Sequence, residues 1–199
     1  MRDDIEGDLC DERTAKGLER YWALREQDLE ILYDSGDKSN YELEDWLRNR
    51  MGYSDLLYAS DFDTEDQYRD YLLEKIYEER ANYGLSIDVV RPCTFRNQPE
   101  MYLRYQFSWG GPSDEIRFYF DNSGGYEGAE YWYMDWGTGC YIDITDLPLA
   151  RWIWEDLREI FYQQIDDAIE EVMNRGCDAY TDCDDEYIPE ECKEEEDWW

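Results

Sequence analysis

Apolar residues recur at helical spacing through the first part of the chain. Ala15, Leu18, Trp22, Leu29 and Leu32 fall on one side of a predicted helix over residues 12–33. The stretch "DSGDKSN" at 34–40 breaks it. Ser39 stands three residues before Glu42, the spacing of a capping box, and residues 41–51 then place Leu43, Trp46 and Leu47 together. Thr64 and Gln67 repeat that spacing ahead of a third helix. Its apolar face is Tyr68, Tyr71, Leu72 and Ile76, and Gly84 is its expected stop.

After Gly84 the apolar period drops from about 3.6 residues to about 2. "LSIDVV" (85–90), "MYLRYQFSW" (101–109), "EIRFYFD" (115–121), "AEYWYMDW" (129–136) and "CYIDI" (140–144) are rich in aromatic and β-branched residues. Met101, Leu103, Tyr105, Phe107 and Trp109 are expected on one face, and Ile116, Phe118 and Phe120 on the same face of the next strand. The links "GGPSD" and "NSGGYEG" are turn chemistry, which predicts an antiparallel meander. Pro148 suits a first helical turn, with Thr145 or Asp146 as its cap. The helix that follows runs to Gly176, with Ile153, Leu157, Ile160, Phe161, Ile165, Ile169 and Val172 as its apolar stripe. These elements predict an α+β fold: an antiparallel sheet of about five strands packed by amphipathic helices, with an acidic C-terminal tail. Residues 1–84 form the helical region, 85–145 the sheet, 146–176 the long helix and 177–199 the tail, read together as one domain.

Charge changes the picture. The 199 residues hold 52 acids against 19 bases, a net charge of −33. The tail from residue 178 carries eleven acids against Lys193 alone, but residues 1–84 also carry 24 against 11, so the acidity is no detachable appendage. Such a charge opposes compaction through self-repulsion. It also repels nucleic acid and anionic lipid, so neither is expected as a direct partner; basic protein surfaces are. No apolar run approaches the roughly 18 residues of a membrane span. The N-terminus is too acidic for a signal peptide, so a cytoplasmic location is expected, with reduced thiols at Cys10, Cys93, Cys140, Cys177, Cys183 and Cys192.

Histidine is absent, which removes the usual general base and the commonest metal ligand. Carboxylate pairs could serve a glycosidase, but among 52 acids some pair always has a suitable spacing. Cys177, Cys183 and Cys192 are separated by five and eight residues, wider than zinc sites prefer. "DAYTDCDDEY" has carboxylates but neither the spacing nor the turn glycine of an EF-hand. Tyr131, Trp132 and Tyr133 could stack on bases, but no Lys/Arg groove accompanies them. Neither enzyme activity, cofactor nor metal is expected.

A positive role for the acidity is imitation. Duplex DNA carries two charges per about 3.4 Å of axis, and carboxylates four apart on a helix lie about 6 Å apart along it. Glu155, Glu159, Asp166 and Glu170 follow a 4-7-4 spacing on one face of the long helix. The expected partner-binding residues are Glu155, Glu159, Asp166, Asp167, Glu170 and Glu171, with tail acids Asp182, Asp184, Asp185, Glu190 and Glu191. Trp198 and Trp199 are the expected anchors, since tryptophan is favoured at interface centres. The competing readings are an acidic surface kept for salt adaptation or solubility, and a shape-specific adaptor that binds one basic protein through the sheet aromatics.

The centre of the chain resembles a group of small phage- and plasmid-borne proteins with an LSI-V…GGP…I…DWGT core. The matching residues are Leu85, Ser86, Ile87, Val89, Gly110, Gly111, Pro112, Ile116, Asp135, Trp136, Gly137 and Thr138, within about 60 of the 199 residues. No catalytic residues come with that resemblance, and its GGP and DWGT stretches read as turns closing the sheet. In composition the flanks are similar to phage DNA-mimic anti-restriction proteins. Together these resemblances imply a mobile-element inhibitor of a host DNA-directed defence system. Its expected partner is a CRISPR effector or restriction enzyme whose nucleic-acid channel it occupies.

Overall fold

Alternation along the strands gives the sheet one apolar face, and two helices lie on it. A computed structural model describes residues 5–6, 10–92, 94, 98 and 100–175. The strands are β1 (Ile5–Glu6), β2 (Ser86–Val90), β3 (Tyr102–Ser108), β4 (Ser113–Phe120), β5 (Tyr126–Asp135) and β6 (Thr138–Asp143). All neighbours are antiparallel, in the order β1-β6-β5-β4-β3-β2. The five long strands are those the period-2 pattern predicts; β1 is too short to leave a pattern. The α+β class and the meander are as expected.

The helices are α1 (Glu12–Tyr33), α2 (Asn40–Asp45), α3 (Glu65–Asn82) and α4 (Pro148–Arg175). Asp11 caps α1 by accepting the Thr14 amide. Leu18, Trp22 and Leu29 of α1 join Tyr105, Ile116, Phe118, Tyr131 and Tyr133 in one buried cluster. Gly17 permits this close approach, because a Cβ there would stand 2.4 Å from the Tyr133 ring. Trp154, on α4, stacks on Phe120 in the same cluster at 5.7 Å. A second cluster joins Ile31 and Leu32 to Leu43, Trp46, Leu47, Tyr68, Leu72 and Ile76. Burying side chains of this size stabilises the fold by roughly 1.5–3 kcal/mol each before entropy is counted.

Local expectations meet the structure unevenly. Ser39 and Glu42 form the full capping box. Thr64 accepts the Gln67 amide, but Gln67 turns to the Asp63 amide, so the second box is only half made. The helix expected over 41–51 changes register at Trp46 and continues as a π-helix to Arg50. Thr145 does not act as the expected cap of α4: its hydroxyl accepts the Ala129 amide and ties the helix start to β5. Ile160 leaves the expected stripe and is 64% exposed, while Trp154 and Ala168 are buried beside the core. Trp109 is 76% exposed, because a register shift between Gln106 and Ser108 ends the alternation before it. The thiols expected to be reduced include a pair that is joined: Cys10 and Cys140 form a disulfide across 130 residues.

Two of the buried carboxylates, Asp114 and Asp28, belong to one chain of hydrogen bonds. Asp114, fully buried in β4, accepts Arg25 Nε at 2.7 Å, the Tyr131 hydroxyl at 2.8 Å and the Ser108 hydroxyl. Arg25 Nη1 donates to the Tyr83 hydroxyl at 2.9 Å, and Tyr83 donates to Asp28 at 2.7 Å. Asp28 also accepts Trp46 Nε1 and Arg50 from the π-helix, at 2.9 and 2.7 Å. Burial opposes ionisation of Asp28, but the bonds from Arg50, Trp46 and Tyr83 outweigh it and hold its pKa below the usual value. Its contribution is therefore present above the unfolded carboxylate pKa of about 3.9 and is lost as pH falls through the lower folded value.

Asp28→Asn is expected to cost about 1–3 kcal/mol in urea denaturation at pH 7, because Tyr83, Trp46 and the half-exposed Arg50 lose their shared charged acceptor. Its stability should also fall less on acidification below about pH 4 than that of the wild type. Reducing the Cys10–Cys140 bridge is expected to lower the unfolding free energy by about 2–5 kcal/mol, measured in urea with and without reductant.

Candidate functional site

Helix α4 presents most of its acids away from the sheet. Glu155, Glu159, Asp166 and Glu170 are exposed. At about 100° per residue they fall within one narrow stripe, opposite Leu157 and Ala168. The stripe is about 22 Å long, from the rise of 1.5 Å per residue. Asp167 is exposed but lies off the stripe, accepting Gln163 Nε2 at 2.8 Å. Glu171 departs from its expected place among the exposed acids. It turns toward the sheet, half-buried, and pairs with Arg91 at 2.6 Å just past β2. Asp182, Asp184, Asp185, Glu190, Glu191, Trp198 and Trp199 lie outside the described residues.

A second acidic stripe lies on α3, outside the residues expected from sequence. Asp66, Asp70, Glu74 and Glu78 on α3 follow an unbroken four-residue spacing, and all are exposed. Helical geometry sets them opposite buried Tyr68, Leu72 and Ile76. Lys75 offsets one of them, through a 2.7 Å pair with Glu78. The two helices meet where Arg80 pairs with Asp156 at 2.7 Å. Each stripe begins within two residues of that pair, so the ion pair marks where the two carboxylate ladders come nearest along their helices. The signal was available in sequence, as four acids at strict helical spacing, but the high density of acids concealed it.

Among the described residues, no helix lies on the sheet's other face. Tyr102, Arg104, Arg117, Tyr119, Glu130, Trp132 and Tyr141 alternate onto it by register. Glu130 accepts both Tyr119 Oη at 2.8 Å and Trp132 Nε1 at 2.7 Å. The Arg117 guanidinium lies 4.0 Å from the Trp132 ring centroid, and Trp132 stacks on Tyr141 at 4.7 Å. Arg117 pairs with Glu115 and Arg104 with Asp88, at 2.7 and 2.9 Å. This is an aromatic face on which both arginines are paired and Tyr102 is already covered.

The GGP and DWGT stretches are turns, as expected, and the meander brings them to the same end of the sheet. Gly111 sits against the Trp136 indole: a Cβ there would lie 3.0 Å from Trp136 Nε1. Trp136 and Gly137 close the β5–β6 hairpin with φ of 49° and 86°. This left-handed pair suits asparagine and glycine, and costs a bulky residue about 1–2 kcal/mol. Yet Trp136 is 84% exposed, so little burial compensates it. The turn is braced from α1. Arg13 pairs with Asp135 at 2.7 Å, and Thr14 and Thr138 share a hydrogen bond at 2.6 Å. Among the described residues, no three carboxylates or thiols converge on a possible metal position, and no helix is long and apolar enough to cross a membrane.

Trp136→Asn is expected to leave the melting temperature unchanged or raise it by up to about 3 °C, since relief of the turn offsets the slight burial of the indole. A calorimetric fall of more than about 3 °C would show that the indole serves the fold. No family model, curated protein or solved structure matches this chain.

Proposed function

We propose that this protein inhibits by imitating the charge of nucleic acid. Its partner is a basic nucleic-acid-binding protein, a CRISPR effector or restriction enzyme of a bacterial host cell. The protein occupies the channel that the effector uses for its substrate. The observation that supports this is the pair of outward carboxylate ladders on α3 and α4, joined at Arg80–Asp156. A solvated acidic surface needs no register. These acids stand on rigid helices at regular spacing, so the cost of ordering them is met in folding and not in binding. Their field steers a cationic groove toward the protein and speeds encounter. No proton or bond is transferred; the action is exclusion of substrate.

A second reading is supported by the helix-free face and the exposed Trp109 and Trp136. On that reading the protein is an adaptor that recognises one basic protein by shape. Salt separates the two, because ladder contacts are screened and aromatic contacts are not.

The test is cleavage of duplex DNA by a purified restriction enzyme and by a guide-loaded CRISPR effector, with the protein titrated in. Mimicry predicts inhibition competitive with DNA that weakens at least tenfold, as an order of magnitude, between low and physiological salt. Changing Glu155, Glu159, Asp166 and Glu170 together to lysine should abolish it without altering the circular dichroism spectrum. Full inhibition by that variant would remove α4 from the binding surface. Salt-independent binding that ignores DNA would favour the adaptor.

A further inference from the structure

A cleft of about 480 Å³ lies between α1 and the α2–π-helix segment, outside both ladders. That volume falls within the range of roughly 300–1,000 Å³ usual for ligand sites. Its walls are unlike the rest of the acidic surface. Leu24, Ile31, Tyr41 and Trp46 give it apolar sides. Leu24 is 42% and Tyr41 77% exposed, so its rim keeps apolar surface in water. The charged lining is four carboxylates and two cations, Asp28, Glu30, Glu42 and Asp45 with Lys38 and Arg50. Arg50 pairs with Asp28 at 2.7 Å and Lys38 with Glu30 at 3.1 Å. Glu42 and Asp45 make no ion pair among the described residues. One helical turn apart on α2, they share a side. Glu42 is held ionised by the Ser39 hydroxyl and amide, which lower its pKa. The cleft therefore has a net deficit of positive charge beside an apolar wall.

The π-helix makes this shape. Its wider turn lets Trp46 and Arg50 both reach Asp28, at 2.9 and 2.7 Å, so the floor is fixed before anything binds. Insertions of this kind often mark functional positions. What fits is a side chain with a long aliphatic stem and a flat cationic end. The stem would lie on Leu24 and Ile31, and the head would reach Glu42 and Asp45 beside the aromatic Tyr41 and Trp46. Arginine meets that description better than lysine, because its planar head stacks on aromatic rings and bridges carboxylates.

We infer that this cleft receives an arginine side chain projecting from the protein partner. The inference rests on the reading that the partner is basic. It makes the cleft a specificity pocket, while the ladders supply long-range attraction.

The test titrates N-acetyl-arginine amide into the full chain and follows the indole N–H resonance of Trp46, identified with Trp46→Phe. The expected result is a saturable shift that N-acetyl-norleucine amide does not produce. The Glu42→Gln/Asp45→Asn variant, whose glutamine preserves the capping box, should weaken binding about fivefold. If that variant unfolds, Asp45→Asn alone is used, with about a twofold loss expected. An unmoved Trp46 resonance, an equal response to the norleucine probe, or unchanged affinity in the folded variant would overturn the assignment. The outcomes separate the two readings. Loss of the arginine response with effector inhibition intact removes only the cleft. Loss of inhibition with a saturable Trp46 response removes only the mimicry.

Discussion

Asp114 is fully buried in the middle of β4, and a carboxylate there is tolerable only against a cation. Arg25 supplies that cation from α1 and is held by the Tyr83 hydroxyl on its far side. Tyr83 in turn donates to Asp28, whose remaining charge is met by Arg50 of the π-helix. One run of charge-assisted hydrogen bonds thus ties the sheet to the helical layer through residues from β4, α1, the α3–β2 link and the π-helix. Its geometry fixes where α1 crosses the sheet. That crossing places Gly17 on Tyr133 and brings the start of the helix to the β5–β6 turn. Displacing Arg25 or Arg50 would leave a buried carboxylate without its cation, so the two hydrophobic clusters hold one relative position.

The same constraint sorts the acids. A chain with a net charge of −33 tends to expand, and its folded form has to keep like charges apart. Carboxylates with a cation or several donors go inside, as Asp28 and Asp114 do. Most of the carboxylates on the outward faces of α3 and α4 have no cation beside them among the described residues; Glu78, paired with Lys75, is an exception. Large aromatic groups oppose the repulsion, since Trp22, Tyr105, Tyr131 and Trp154 each bury a broad apolar area. The result is a rigid anionic exterior around an aromatic interior. That combination suits a protein whose partner is a cationic groove.

Strain and exposure coincide at one end of the sheet. Trp136 occupies a left-handed position with its indole in water, braced by Arg13, Thr14 and Thr138. The Cys10–Cys140 bridge fastens the segment before α1 to the same hairpin. A fold indifferent to this residue would place asparagine there. The protein thus carries two chemically different surfaces, one electrostatic on the helices and one aromatic on the sheet.

The sequence by itself determined whatever depends on near neighbours. Period 3.6 located α1, α3 and α4; period 2 located the five long strands; Ser39 with Glu42 located a cap, because each signal acts within a few residues. It also placed Glu155, Glu159, Asp166 and Glu170 on one helical stripe. What it could not contain was the path of the chain between distant positions. Glu171 reads like its neighbours until Arg91, 80 residues earlier, is brought beside it. Cys10 and Cys140 read as separate thiols until α1 is laid along β6. The buried run from Asp114 to Arg50, the α2 cleft and the meeting of GGP with Trp136 are likewise products of packing. Side-chain pairing across 80 to 130 residues depends on how elements cross, and the crossing is set by burial of the whole core together with its buried charge pairs, not by any local pattern.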